Sequence, residues 1–182
     1  MKTTWTGFSG AKIDLLPHVE RAARLFGEVR LEAVPRLAGL IARHMDDGHS
    51  ADLVGRAGHA LTEERMKAIG LDPWPPFSRE AYDALTEAGR SEPREAIRRL
   101  VERATAWAYD EEGARQRTDP DVVRIFDIVV FHCDKGSCEA ARRLDGAVFP
   151  AASAPRVPLD ACRNDGCRCG VEVEMSRRPR RK

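Results

Sequence analysis

Along the first part of the chain, apolar residues return every three or four positions. Ala22, Phe26, Val29, Ala33, Leu37, Leu40 and His44 fall on one face of a helix. That face predicts Ala22, Phe26, Val29, Leu37 and Leu40 in the core. Glu20 with Arg24, and Glu32 with Arg36, are i,i+4 pairs on the other side. Pro35 interrupts the run, which therefore reads as a kinked helix or two helices in succession, ended by the turn residues of "MDDGHS". Shorter helices follow. Thr62 can cap one that stops at Gly70, and Ser78 can cap "REAYDALTEAG", with Gly89 as its end. Ser91 and Pro93 open another, whose stripe of Ile97, Leu100, Val101, Ala104, Trp107 and Ala108 persists to Gly113. Between them "LDPWPPF" reads as a rigid extended connector.

The pattern changes after the polar stretch "GARQRTDPD". Val122 to His132 is β-branched and aromatic and predicts a largely buried strand. "SCEAARRLDG" predicts a short helix ending at Gly146, "AVFP" a brief strand and "AASAPRVP" a loop. In "VEVEM", Val171, Val173 and Met175 alternate with Glu172 and Glu174, which predicts a half-exposed strand. The fold class is α+β. A mainly helical region, residues 1–116, precedes a small antiparallel β/short-helix module with a cysteine-rich knuckle, residues 117–182.

Charge sharpens this picture in one place. The 182 residues carry a formal net charge of +1, but Arg177, Arg178, Arg180, Arg181 and Lys182 sit together in the tail. Without them 25 basic residues face 29 acidic ones, so the body is slightly acidic and does not suit a whole-surface nucleic-acid binder. Nucleic acid as a partner would engage the tail, through phosphate contacts; the bland alternative is a solubilising terminus. Aromatics are 6% of the chain, so the core rests on aliphatic residues. No segment approaches the roughly 18 apolar residues of a membrane span, and the start lacks the apolar stretch of a secretory signal. The expected location is the cytoplasm.

The candidate chemistry lies in the cysteines: Cys133, Cys138, Cys162, Cys167 and Cys169. An odd number in a reducing compartment argues against a disulfide framework. Cys133 ends the first predicted strand and Cys169 precedes the last. Antiparallel pairing would bring both ends together, with Cys138, Cys162 and Cys167 nearby. Four thiolates converging on one point make a tetrahedral zinc site, and zinc would stabilise a module with few apolar residues of its own. The spacings are not those of paired CxxC knuckles, and His132 competes as a sixth donor. Buried unliganded thiols and a redox or catalytic thiol therefore remain alternatives.

The stretch "CEAARRLDGAVFPAASAPRVPLDACRNDGCRC" resembles the C-terminal cysteine motif of phage head morphogenesis proteins, the minor head protein F family of phage Mu. Cys138 matches the first knuckle position. Leu144, Gly146 and Phe149 match the segment after it, Pro155 and Pro158 fall in its Pro-rich loop, and Cys162 stands near the place where the motif has a His or Cys ahead of its ending. Cys167, Arg168 and Cys169 match the Cys-Arg-Cys ending. Ala141 stands where the pattern has its second knuckle cysteine. Cys133 is the candidate replacement, and without it the set is incomplete. The resemblance covers about a fifth of the chain. It implies a phage-like origin, a structural knuckle and a place in head assembly or the virion, but fold and motif alone do not fix function.

Three further features carry weaker signals. His44, His49 and His59 with Asp46 and Asp47 match no known ligand spacing. "DPWPPF" suits either a partner's aromatic groove or packing of its own Trp and Phe on the body, the commoner outcome. GxxxxGK[ST], GxGxxG and GxSxG are all missing, and Ser9 in "GFSGA" has no identifiable base, so nothing supports nucleotide chemistry or acyl transfer. The leading expectation is a non-enzymatic structural or interaction protein with a zinc-stabilised knuckle. Behind it stand a nucleic-acid-associated zinc module and a thiol-dependent enzyme or redox sensor.

Overall fold

Trp5 and Ile13 face each other across a small hairpin made by β1 (Thr4–Thr6) and β2 (Lys12–Asp14), and both are buried. This hairpin opens a computed structural model that describes residues 2–46, 58–160, 162 and 169–176. The chain is α+β: a helical N-terminal half, then a small antiparallel three-stranded sheet with short helices. It divides into two units, Met1–Ala108 and Tyr109–Lys182.

In the first unit the long apolar run resolves into two helices, α1 (Leu16–Phe26) and α2 (Val34–Asp46). The break comes at Gly27 rather than at Pro35. Gly27 takes the left-handed conformation (φ 69°) and its N–H caps the Ala23 carbonyl. Pro35 falls in the first turn of α2, where its missing N–H costs no helical bond. Ala22, Val29, Leu37 and Leu40 are buried as expected, but Phe26 is only half-buried. It is the last residue of α1, and the Arg103 guanidinium covers its ring at 5.8 Å. The Glu20–Arg24 pair forms at 2.7 Å. Arg36 instead reaches Glu80, at 3.1 Å, and Glu32 lies 3.7 Å from Arg30.

Thr62 caps α3 (Glu63–Ala68), its hydroxyl accepting from the Arg65 N–H at 3.2 Å, and Ser78 caps α4 (Arg79–Asp83) in the same way at 3.1 Å. The helix expected to run from Ser78 to Gly89 ends early, at Asp83. Residues 84–86 are drawn into pairing with residues 28–30: Arg30 N–H donates to the Ala84 carbonyl and Thr86 N–H to that of Glu28, both at 2.9 Å. Thr86 then caps a new turn, α5 (Glu87–Arg90). Gly89 is required inside that turn, since a Cβ there would stand 2.2 Å from the Glu28 carbonyl oxygen. In "DPWPPF" the two aromatics separate: Phe77 is buried, whereas Trp74 is 79% exposed.

The core of this unit is closed by α6 (Pro93–Arg117), whose Ile97, Leu100, Val101, Ala104, Trp107 and Ala108 are all buried. Contrary to expectation, α6 does not stop at Gly113. It continues four residues into the stretch read as a connector, held by a Glu111–Arg115 pair at 2.6 Å and by Asp110–Arg117 at 3.3 Å.

In the second unit Val122 does not begin a strand. Asp119 caps a single turn, α7 (Pro120–Val123), its carboxylate accepting from the Asp121 N–H at 2.8 Å, with Pro120 at the first helical position. The strand β3 starts only at Ile128 and runs to His132. It lies between β4 (Val148–Pro150) and β5 (Gly170–Glu174), antiparallel to both, and α8 (Glu139–Arg142) fills the connection from β3 to β4. Val129 and Phe131 are fully buried and face Val173 and Val171 across the ladder. The expected antiparallel pairing of the two strands is therefore present. Among the described residues no helix is long and apolar enough to cross a membrane.

Candidate metal centre

The register of β3 with β5 decides which cysteines share one end of the sheet. The last registered pair is His132 with Gly170. Cys133 follows on one strand and Cys169 precedes on the other, so both stand one step beyond the same end of the ladder. Cys138 belongs to the same excursion, at the N-cap of α8. That excursion is tied back at its base: Gly146 N–H donates to the Phe131 carbonyl at 2.8 Å and Phe131 N–H to that of Ala147 at 2.9 Å.

Two aspartates shape the knuckle. Cys133 N–H donates to Asp145 Oδ1 at 3.0 Å. Asp134 closes the turn to Cys138: its Oδ1 accepts from Gly136 N–H at 3.0 Å and from the Ser137 hydroxyl at 3.1 Å, while its own N–H donates to Ser137 Oγ at 3.2 Å. Burial pushes the Cys133 thiol up, with the Asp145 carboxylate as the next cause and the Ser137 hydroxyl acting against them. A thiol raised in this way holds less thiolate, the form that both a nucleophile and a metal ligand require.

The remaining donors are placed differently. Cys162 is buried and its N–H donates to the Leu159 carbonyl at 2.9 Å. Cys167 lies outside the described residues, as does the basic tail from Arg177 to Lys182. His132 is exposed, with Nε2 3.4 Å from Glu172 Oε2. None of the four described cysteines is in a disulfide. Among the described residues no three His, Cys, Asp or Glu side chains are grouped closely enough to hold a metal ion. Cys133 and Cys169 flank one end of the sheet, and the ties from Asp145 and Asp134 fix the backbone of Cys133 and the turn to Cys138.

The structure also shows polar sites that sequence spacing did not reveal. In the second unit Asp110, its side chain 2% exposed, accepts from Arg117 at 3.3 Å and from Arg156 at 2.5 Å. In the first unit Glu80 gathers donors from three segments. It accepts from the His59 N–H (3.0 Å), His59 Nδ1 (2.8 Å), the Ser78 hydroxyl (3.2 Å) and Arg36 (3.1 Å). Of the histidine cluster, His59 is used in this way and His44 is half-buried on α2, while His49 and Asp47 lie outside the described residues. Asp46 accepts from the Thr6 N–H at 3.2 Å and from Lys2 at 3.4 Å.

The His59 ring holds the Glu80 carboxyl down at about 2 against an ordinary value of 4.5. Burial opposes it, and backbone N–H groups and the Ser78 hydroxyl assist. A carboxyl lowered by folding stabilises the fold above its ordinary value, and that stability is lost as pH falls from about 4.5 toward about 2. Glu80→Gln is therefore expected to lower unfolding stability by about 1–2 kcal/mol near neutral pH, after allowance for solvent screening, and to flatten the acid limb. Urea unfolding across the acid range checks both effects; an unchanged limb in the variant would contradict this role.

Compared with protein-family models, curated proteins and solved structures, the chain matches none.

Proposed function

We propose that the chain is a non-enzymatic structural or interaction protein whose second unit is closed by a structural zinc. Cys133, Cys138 and Cys169 would hold it, with Cys162 or Cys167 as the fourth ligand. The observation that carries this reading is the β3–β5 register, which sets Cys133 and Cys169 at one end of the sheet. Bound zinc would supply charge neutralisation and cross-linking of a unit whose own apolar core is small. Among the described residues Val129, Phe131, Ala141, Ala151 and Cys162 are its buried hydrophobic residues, against more than twenty in the first unit. A role in assembly, of the phage head morphogenesis kind, rests on the resemblance of the cysteine motif.

Chelation tests the reading. A strong chelator is expected to lower the melting temperature of the second unit and to expose the amides of β3 and β5 to exchange, with zinc restoring both. Unchanged melting and exchange after chelation would sink it.

A further inference from the structure

Two adjoining clefts in the first unit, of about 380 and 330 Å³, share Arg79 and Asp83 in their walls. Arg36, His59 and Glu80 line the first; Leu61, Arg65 and Tyr82 help to line the second. Each is within the size range of small-molecule sites.

The charges of these walls do not balance. Arg36, Arg65 and Arg79 face two carboxylates, Glu80 and Asp83. Glu80 is fully engaged by His59, Ser78 and Arg36, so it has little acceptor capacity left. The unmet donors belong to the other two arginines. Arg79 Nε lies 3.7 Å from Asp83 Oδ2, too far for a hydrogen bond, with both side chains well exposed. Among the described residues the Arg65 guanidinium has no ion-pair partner. Beside these donors the wall is apolar: Leu61 is buried, and the Tyr82 ring is half-buried with the Arg90 guanidinium 5.1 Å from its centre.

We propose that these clefts bind a small organic oxyanion, its head on the donors of Arg65 and Arg79 and an apolar or aromatic body against Leu61 and Tyr82. Guanidinium forks suit phosphate and carboxylate oxygens, and a flat body gains from the tyrosine face. The site is independent of the cysteines.

The test is amide-resonance titration of the full chain with phenyl phosphate, alongside inorganic phosphate and benzyl alcohol. Phenyl phosphate is expected to give saturable shifts confined to residues 58–65 and 79–83, with binding tighter than that of either half alone. Arg65→Gln is expected to weaken it about tenfold or more, the effect of losing a charged hydrogen bond. Arg79→Gln is expected to do the same, and Arg65, whose side chain has no ion pair to lose among the described residues, keeps the test valid if the Arg79 variant disturbs α4. Arg24→Gln, on the exposed face of α1, should change nothing. Three results would each overturn the proposal: equal binding of benzyl alcohol, equal binding of inorganic phosphate, or affinity for phenyl phosphate unchanged in Arg65→Gln.

Discussion

Changing Cys169 to Ser is expected to release zinc and unfold the second unit while the first stays folded. Cys169 has the place best fixed by backbone pairing, one step before β5 and at the same end of the ladder as Cys133. Ser is a poor zinc ligand, so the variant is left with three thiolates and weaker metal binding. Structural zinc contributes about 10–16 kcal/mol of apparent binding free energy in small domains. That is comparable with the whole stability of an ordinary domain, about 5–15 kcal/mol, so a partial loss is enough. Hydrogen exchange reads the outcome residue by residue. Amides of β3 and β5 should lose protection, whereas those of α1 and α2 should keep it, because their core draws on a different set of side chains. Equal protection in the variant and the parent chain would show that Cys169 contributes only as a small residue beside the strand.

Trp107→Ala is expected to cost about 3–5 kcal/mol in the first unit, the usual range for emptying a buried aromatic site. Trp107 is 1% exposed and is the largest fully buried side chain in the protein's described residues. Arg21 stacks over its ring at 4.0 Å and Arg103 at 5.5 Å. Removing the ring leaves both guanidinium groups without that face, which adds to the cavity cost. Trp74 gives the contrast. It is 79% exposed, and Trp74→Ala should stay within about 0.5 kcal/mol of the parent chain. Urea midpoints of the two variants measure the difference. Similar losses from both would mean that the burial of Trp107 is not what stabilises this unit.

Elements with a clean period could be read from the sequence. Val171, Val173 and Met175 alternate with glutamates, and β5 forms there, though it ends at Glu174 and Val173 and Met175 of its apolar face are exposed; the stripe from Ile97 to Ala108 marks the buried face of α6. Elements set by local caps were misread where an apolar run masked them. Val122 to Asp127 looked like strand, yet Asp119 and Pro120 are helix-start residues and take that role. The hairpin at Thr4–Thr6 and Lys12–Asp14 left almost no periodic trace, since each strand has three residues and one buried side chain. The candidate site divides along the same line. Cys133 and Cys169 could be placed together because strand pairing fixes them both. Glu80 and His59 could not, because they are 21 residues apart and meet through folding of three segments, not through any spacing. Asp110 and Arg156 are 46 residues apart and carried no signal at all.

Whether zinc closes the second unit is read from the metal content of the purified full chain. The expected result is about one zinc per chain, held through exhaustive dialysis and lost from Cys169→Ser. A folded chain with β3 and β5 protected and no stoichiometric metal would contradict the claim, leaving the thiols as core or redox groups.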